Sequence, residues 1–114
     1  VEEVQQTYKG KILRVIDGDT IEAAIFLGFN ISIKKKIRIL GIDAPELRSR
    51  DHEERRRARA AKKRLEELVV GKDLTIQSEG FDKYGRCLAH IITEAGNVGE
   101  ILLKEGLVKK LEFI

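Results

Sequence analysis

Three short stretches of this chain gather side chains capable of chemistry: Ile16-Asp17-Gly18-Asp19-Thr20, Arg38-Ile39-Leu40-Gly41-Ile42-Asp43-Ala44-Pro45-Glu46, and Asp82-Lys83-Tyr84-Gly85-Arg86. Singly, each has an ordinary explanation. Asp17-Gly18 is a common hairpin turn, and Asp43 or Glu46 alone reads as a helix cap or a solvated loop acid. Together they form a set with complementary roles. Aspartates offer hard oxygen ligands that suit calcium or magnesium. Arginine presents a planar fork that matches phosphate oxygens and stays charged at any working pH, so two arginines can clamp a phosphodiester while its charge builds. A glutamate beside them can activate water. Neither His52 nor His90 has zinc-like spacing, and both read as structural.

The elements that must position these groups follow from length and pattern. A chain of 114 residues fits one domain spanning 1–114. With 42% hydrophobic and 36% charged residues and no apolar run of bilayer length, it is a water-soluble globular sequence. The formal charge is only +3, yet Arg48 to Arg64 holds nine basic residues against three acids, a net +6 that leaves −3 for the rest. Such a patch attracts polyanions through counterion release, although a charge run is more often a solvated helix face laced with ion pairs. Cys87 is the only cysteine, which excludes an intrachain disulfide and a cysteine-based zinc site; its setting reads as a buried strand thiol. The opening VEEVQQTYKG has neither a basic nor an apolar leader region. With no initiator methionine the compartment stays open: secreted if a leader was removed, otherwise cytoplasmic.

Strands are expected at Tyr8–Ile16, Thr20–Phe26 and Ile31–Leu40, with a Gly28-Phe29-Asn30 turn between the last two, and again at Leu74–Ser78 and Cys87–Thr93. In the third, Ile31, Ile33, Ile37 and Ile39 share one parity and Lys34, Lys36 and Arg38 the other, so one face is buried and the opposite face is cationic. Asp51 with Glu54 reads as an N-cap and capping box, and Ala58, Ala61, Leu65 and Leu68 recur at helical spacing until Gly71. A second helix runs from about Val98 to Glu105, capped by Asn97 with Glu100 as box partner and stopped by Gly106. Order is expected throughout, except over Val1 to Gln6. The layout is α+β and mainly antiparallel, consistent with a five-stranded barrel closed by helices.

The ordered set DGDT, RILGIDAPE, DKYGR and GNVGEILLKEGL resembles the staphylococcal nuclease (thermonuclease) family over nearly the whole chain from Tyr8 onward. The resemblance implies an OB-type Greek-key barrel of five strands with two to three helices, the third short and not visible in the periodicity. It also implies a calcium-dependent endonuclease that cleaves the 5′ P–O bond of DNA and RNA, prefers single-stranded or frayed regions, and leaves 3′-phosphate ends. Carried over by position, Asp19 and Asp43 are calcium carboxylates and Ala44 supplies a backbone carbonyl to the one Ca2+. Glu46 is the general base, Arg38 and Arg86 bind the scissile phosphate, and Lys83 and Tyr84 contact a terminal phosphate. Asp17 orients Asp19 or a bound water. Two departures stand out: Glu112 and Ile114 replace tyrosines that some members carry, and the segment after Glu46 is shorter and richer in arginine than in the prototype.

A monomer with no membrane partner is the expectation. The competing readings are an inactive module of this fold that binds nucleic acid or a protein, and a basic OB-type domain whose motif residues form only a salt-bridge network.

Overall fold

The computed structural model describes residues 6–111. Ten elements follow one another: β1 (Gln6–Asp17), β2 (Thr20–Gly28), β3 (Ile31–Ile39), β4 (Ile42–Asp43), α1 (His52–Val69), β5 (Leu74–Phe81), β6 (Cys87–Thr93), β7 (Gly96–Asn97), α2 (Val98–Lys104) and β8 (Lys109–Lys110). All five expected strands are present, with β1, β2 and β5 running beyond their expected ends and β3 stopping at Ile39 rather than Leu40. Of the Val1–Gln6 expectation only Gln6 can be placed, as the first residue of β1; the other five residues, and Glu112 and Ile114, lie outside the described residues.

Alternation explains the sheet. Ile21, Ala23 and Ile25 of β2 face inward and are buried, as are Ile37 and Ile39 of β3 and Leu74 and Ile76 of β5. β1, β2 and β3 form an antiparallel meander, β1 also pairs antiparallel with β5, and β5 with β6. The circuit closes where β3 pairs with β6 in parallel, Ile37 opposite Cys87 and Ile39 opposite Ala89. This is the closed five-stranded OB-type barrel, with one parallel seam. The short β7 extends β6, and β4 pairs with β8 beside the barrel.

The inward parity of β3 does not stay buried along its length. Ile31 and Ile33 are exposed, because the β2–β3 hairpin projects past the barrel's end and has no facing wall there. Its loop residues Phe29 and Asn30 both have positive φ, and the flanking Gly28 pairs with Ile31, which makes a two-residue turn whose twist suits the hairpin.

α1 is capped by Asp51, whose carboxylate accepts from the Glu53 amide, and it buries Ala58, Ala61, Leu65, Leu68 and Val69. The expected capping box fails: Glu54 turns away to accept from the Glu46 amide at 3.0 Å and the Ser49 hydroxyl at 3.2 Å, while the Asp51 amide donates to Ser49 Oγ instead. α2 is capped by Asn97, which accepts from the Glu100 amide. Among the described residues there are two helices, so the third implied by the resemblance is not among them. Arg64 binds Glu105 through two nitrogens and ties α1 to the end of α2. No described helix is long and apolar enough to cross a membrane.

Candidate functional site

The turn between β1 and β2 carries the first acid. Asp17 pairs with Thr20 across the turn, leaving Gly18 and Asp19 as its loop. The turn can lie this close to its neighbours only because residue 18 has no side chain: a Cβ there would stand 2.8 Å from that of Ala61 and 2.9 Å from that of Ala44. The Ile39 amide donates to the Asp19 carbonyl at 2.9 Å, fastening the turn to the end of β3. Asp19 is 8% exposed, and its carboxylate accepts from the Thr20 hydroxyl at 2.9 Å and the Ala44 amide at 2.8 Å.

Arg38 lies across the two acids that the sequence pairs. One Nη donates to the carbonyls of Ile39 and Ile42 at 3.1 and 2.9 Å. The other lies 3.3 Å from Asp19 Oδ2 and 3.4 Å from Asp43 Oδ1. Asp19 is thus held from within the barrel wall, whereas the Asp43 side chain is 57% exposed. Burial pushes Asp17 up to about 6, helped by its hydrogen bond to Asp19 and that neighbour's charge. Burial would raise Asp19 too, but the Asp17 hydrogen bond, the Ala44 amide, the Arg38 charge and the Thr20 hydroxyl together hold it below the usual carboxylate range. As pH falls, the pair therefore takes its first proton on Asp17, while Asp19 stays anionic.

Glu46 is exposed, and its carboxylate makes no hydrogen bond or ion pair among the described residues. It lines a cleft of about 310 Å³ together with Asp43, Ala44, Pro45, Arg57, Leu107 and Lys109.

The third stretch is a separate turn between β5 and β6. Asp82 organises it: Oδ1 accepts from the amides of Tyr84 and Arg86, each at 2.9 Å, and Oδ2 from Arg86 Nε at 2.7 Å. Burial pushes Asp82 up, but these donors outweigh it and hold the carboxyl below its ordinary range. Tyr84 is exposed, with Lys83 Nζ and the Arg86 guanidinium 5.3 and 5.6 Å from its ring centre. Arg38 pairs with Leu88 of β6, and Arg86 lies in the turn immediately before that strand. The structure brings Asp19, Arg38, Asp43 and Ala44 into direct contact, sets Glu46 in a cleft that Asp43 and Ala44 also line, and holds Arg86, Lys83 and Tyr84 on the turn before β6. Sequence reasoning missed Thr20 and Ser49 as hydrogen-bonding supports. It also left Asp82 without its role as the group that holds Arg86; the four-residue spacing of that pair was the available signal.

The other sequence marks have structural partners. His52 contacts Arg55, His90 pairs with Glu79 at 3.1 Å, and Cys87 is buried beside the Ser78 hydroxyl. Arg56 pairs with Glu53, whereas Arg57 faces the cleft without an ion pair among the described residues.

As for a metal, the two carboxylates are hard oxygen donors, and a guanidinium between them shows that the gap accommodates positive charge. Among the described residues no three histidine, cysteine, aspartate or glutamate side chains converge on one point. The donor chemistry of Asp19 and Asp43 is of the kind a hard divalent cation prefers.

The family described as staphylococcal nuclease homologue matches residues 36–114. An uncharacterized endonuclease of Escherichia coli O157:H7 is 33% identical over 98 residues, covering 85% of this chain and 57% of that protein. Endonuclease YncB of Bacillus subtilis (strain 168) is 37% identical over 99 residues, covering 84% and 44%. An uncharacterized protein of Bacillus anthracis is 32% identical over 104 residues, covering 89% and 46%. The chain spans about half the length of the curated relatives it matches.

Proposed function

The chain belongs to the staphylococcal nuclease homologue family, and from that membership we propose that it is a calcium-dependent nuclease hydrolysing phosphodiester bonds of DNA and RNA. The observation that carries the reading is the Asp19–Arg38–Asp43 contact, which sets two hard carboxylates and a phosphate-matching fork at one point. Arg38 grips non-bridging oxygens of the scissile phosphate. Arg86 approaches from the next turn with its Nε held by Asp82, which leaves both Nη groups for the phosphate. A guanidinium holds its protons tightly, so Arg86 offsets charge on the leaving oxygen, which takes its proton from solvent. Asp19, Asp43 and the Ala44 carbonyl would hold the calcium ion, which when bound would supply charge that offsets the charge building on the phosphate oxygens. Asp17, whose Oδ1 accepts from the Asp19 amide, steadies the turn that carries the Asp19 carboxylate. Glu46, free of partners, takes the proton from water as it attacks phosphorus in line. Lys83 and Tyr84 bind a neighbouring phosphate, and cleavage at the 5′ P–O bond leaves 3′-phosphate ends, with frayed or single strands preferred and the protein acting as a monomer.

One observation favours a second reading, a module that binds nucleic acid without cutting it: Arg38 and Arg86 are both already engaged by aspartates. A single assay separates them. Denatured DNA incubated with the protein and calcium is digested, and chelation stops the digestion. Undiminished cutting in chelator would remove the metal role, and binding without cutting under any divalent metal would establish the second reading.

A further inference from the structure

The outer face of the β1–β2–β3 meander has no covering element along most of its length, and its composition is unusual. Register places Lys9 opposite Phe26 and Lys11 opposite Ala24, with Lys34 and Lys36 facing Ala24 and Glu22 from β3. Glu22, the acid in the middle of this face, is taken by Arg14 at 3.1 Å. Lys34 and Lys36 are exposed and make no ion pair among the described residues. Phe26 is 44% exposed amid these cations. Because side chains alternate along a strand, Lys34, Lys36 and Arg38 form one row with about 6.6 Å between neighbours, and the row ends at the guanidinium that touches Asp19 and Asp43.

We propose that this face is a track for single-stranded nucleic acid, with Lys34 and Lys36 contacting successive phosphates, Phe26 stacking on a base, and the strand led along β3 to Arg38. The inference rests on the nuclease reading and deepens it, naming where the substrate lies beyond the scissile phosphate. Charge complementarity selects an anionic partner. The regular spacing of the row, comparable to the phosphate repeat of an extended strand, and an aromatic platform beside it select a single strand. A duplex, whose bases are stacked inside, offers Phe26 nothing to stack on.

The test uses the full chain in chelator, so that no turnover is required, with a fluorescent oligothymidylate titrated over a salt series. Lys34→Gln with Lys36→Gln lowers the slope of log affinity against log salt by about 1.4, at about 0.7 per phosphate contact. Lys72→Gln with Lys104→Gln, equal in charge but off this face, leaves the slope unchanged; equal losses for both pairs would refute a localised track. Phe26→Ala weakens binding about five- to a hundredfold, and unchanged affinity overturns the stacking role. The chain has no tryptophan, so Phe26→Trp provides a sole reporter. Its emission responds to oligothymidylate; a response to phosphatidylserine vesicles in place of the oligonucleotide would make the face a membrane surface and sink the proposal. Cutting without these binding changes refutes the track alone, whereas these changes without any cutting refute the hydrolytic reading alone.

Discussion

At the scale of the residue, the site separates groups that are already neutralised from one that is not. Asp19, Asp43 and Arg38 satisfy one another, and Asp82 occupies Arg86 Nε, whereas the Glu46 carboxylate has no partner among the described residues. A free carboxylate beside the pair is what proton abstraction needs. Glu46→Gln therefore keeps substrate binding and loses about two to four orders of magnitude in turnover; single-turnover cleavage at the normal rate would remove its role. The Asp82 turn has a pH signature whose sign follows from its depressed carboxyl. The contribution is present above the ordinary aspartate range and is lost as pH falls through the lower folded value. In a pH titration by NMR, the Tyr84 and Arg86 amide shifts move together with a midpoint below the usual aspartate value. A midpoint at or above that value would mean that the turn does not hold the carboxylate. The candidate residues themselves were legible in the sequence, because their types declare their chemistry. Their pairing was not, since Arg38 reaches Asp19 only after β2 and β3 align Thr20 with Arg38.

At the scale of the element, local pattern was informative wherever the deciding contacts are local. Alternation located all five long strands, and the helical repeat of Ala58, Ala61, Leu65 and Leu68 named four of the five residues that α1 buries. Glu54 shows the limit: a capping box was available to it, yet the passing Glu46 amide and Ser49 hydroxyl bind it instead. Gly18 is a comparable case. Its turn chemistry was readable, but its closeness to α1 and to Ala44 was not. Gly18→Ala forces the β1–β2 turn away from Ala61 and Ala44, which costs about 1–3 kcal/mol. It also shifts Asp19 relative to the Ala44 amide, so chemical denaturation and nuclease assays should both register the change. Wild-type values in both would show that the packing is slack.

At the scale of the whole molecule, the barrel closes along a seam of only three register pairs between β3 and β6, and that seam sets the strand bearing Arg38 beside the strand that follows the Arg86 turn. Ile37, fully buried in the seam, is the residue to test. Ile37→Ala lowers unfolding free energy by about 2–5 kcal/mol, and amide exchange accelerates at Leu40, whose amide donates to the Ala89 carbonyl, before it does in the β1–β2 pairing. Uniform acceleration would mean that the seam is not a separate weak point. The amino-acid order by itself determined which segments are strands and helices and which side chains are candidates for chemistry, because alternation, helical spacing and residue type act over a few neighbours. Tertiary structure alone decided that Ile31 and Ile33 lie outside the barrel, that Glu54 abandons its cap, and that a guanidinium twenty residues from Asp17-Gly18-Asp19 sits between two carboxylates. Those outcomes depend on where distant strands end and which surfaces they leave uncovered, and no local pattern contains that information.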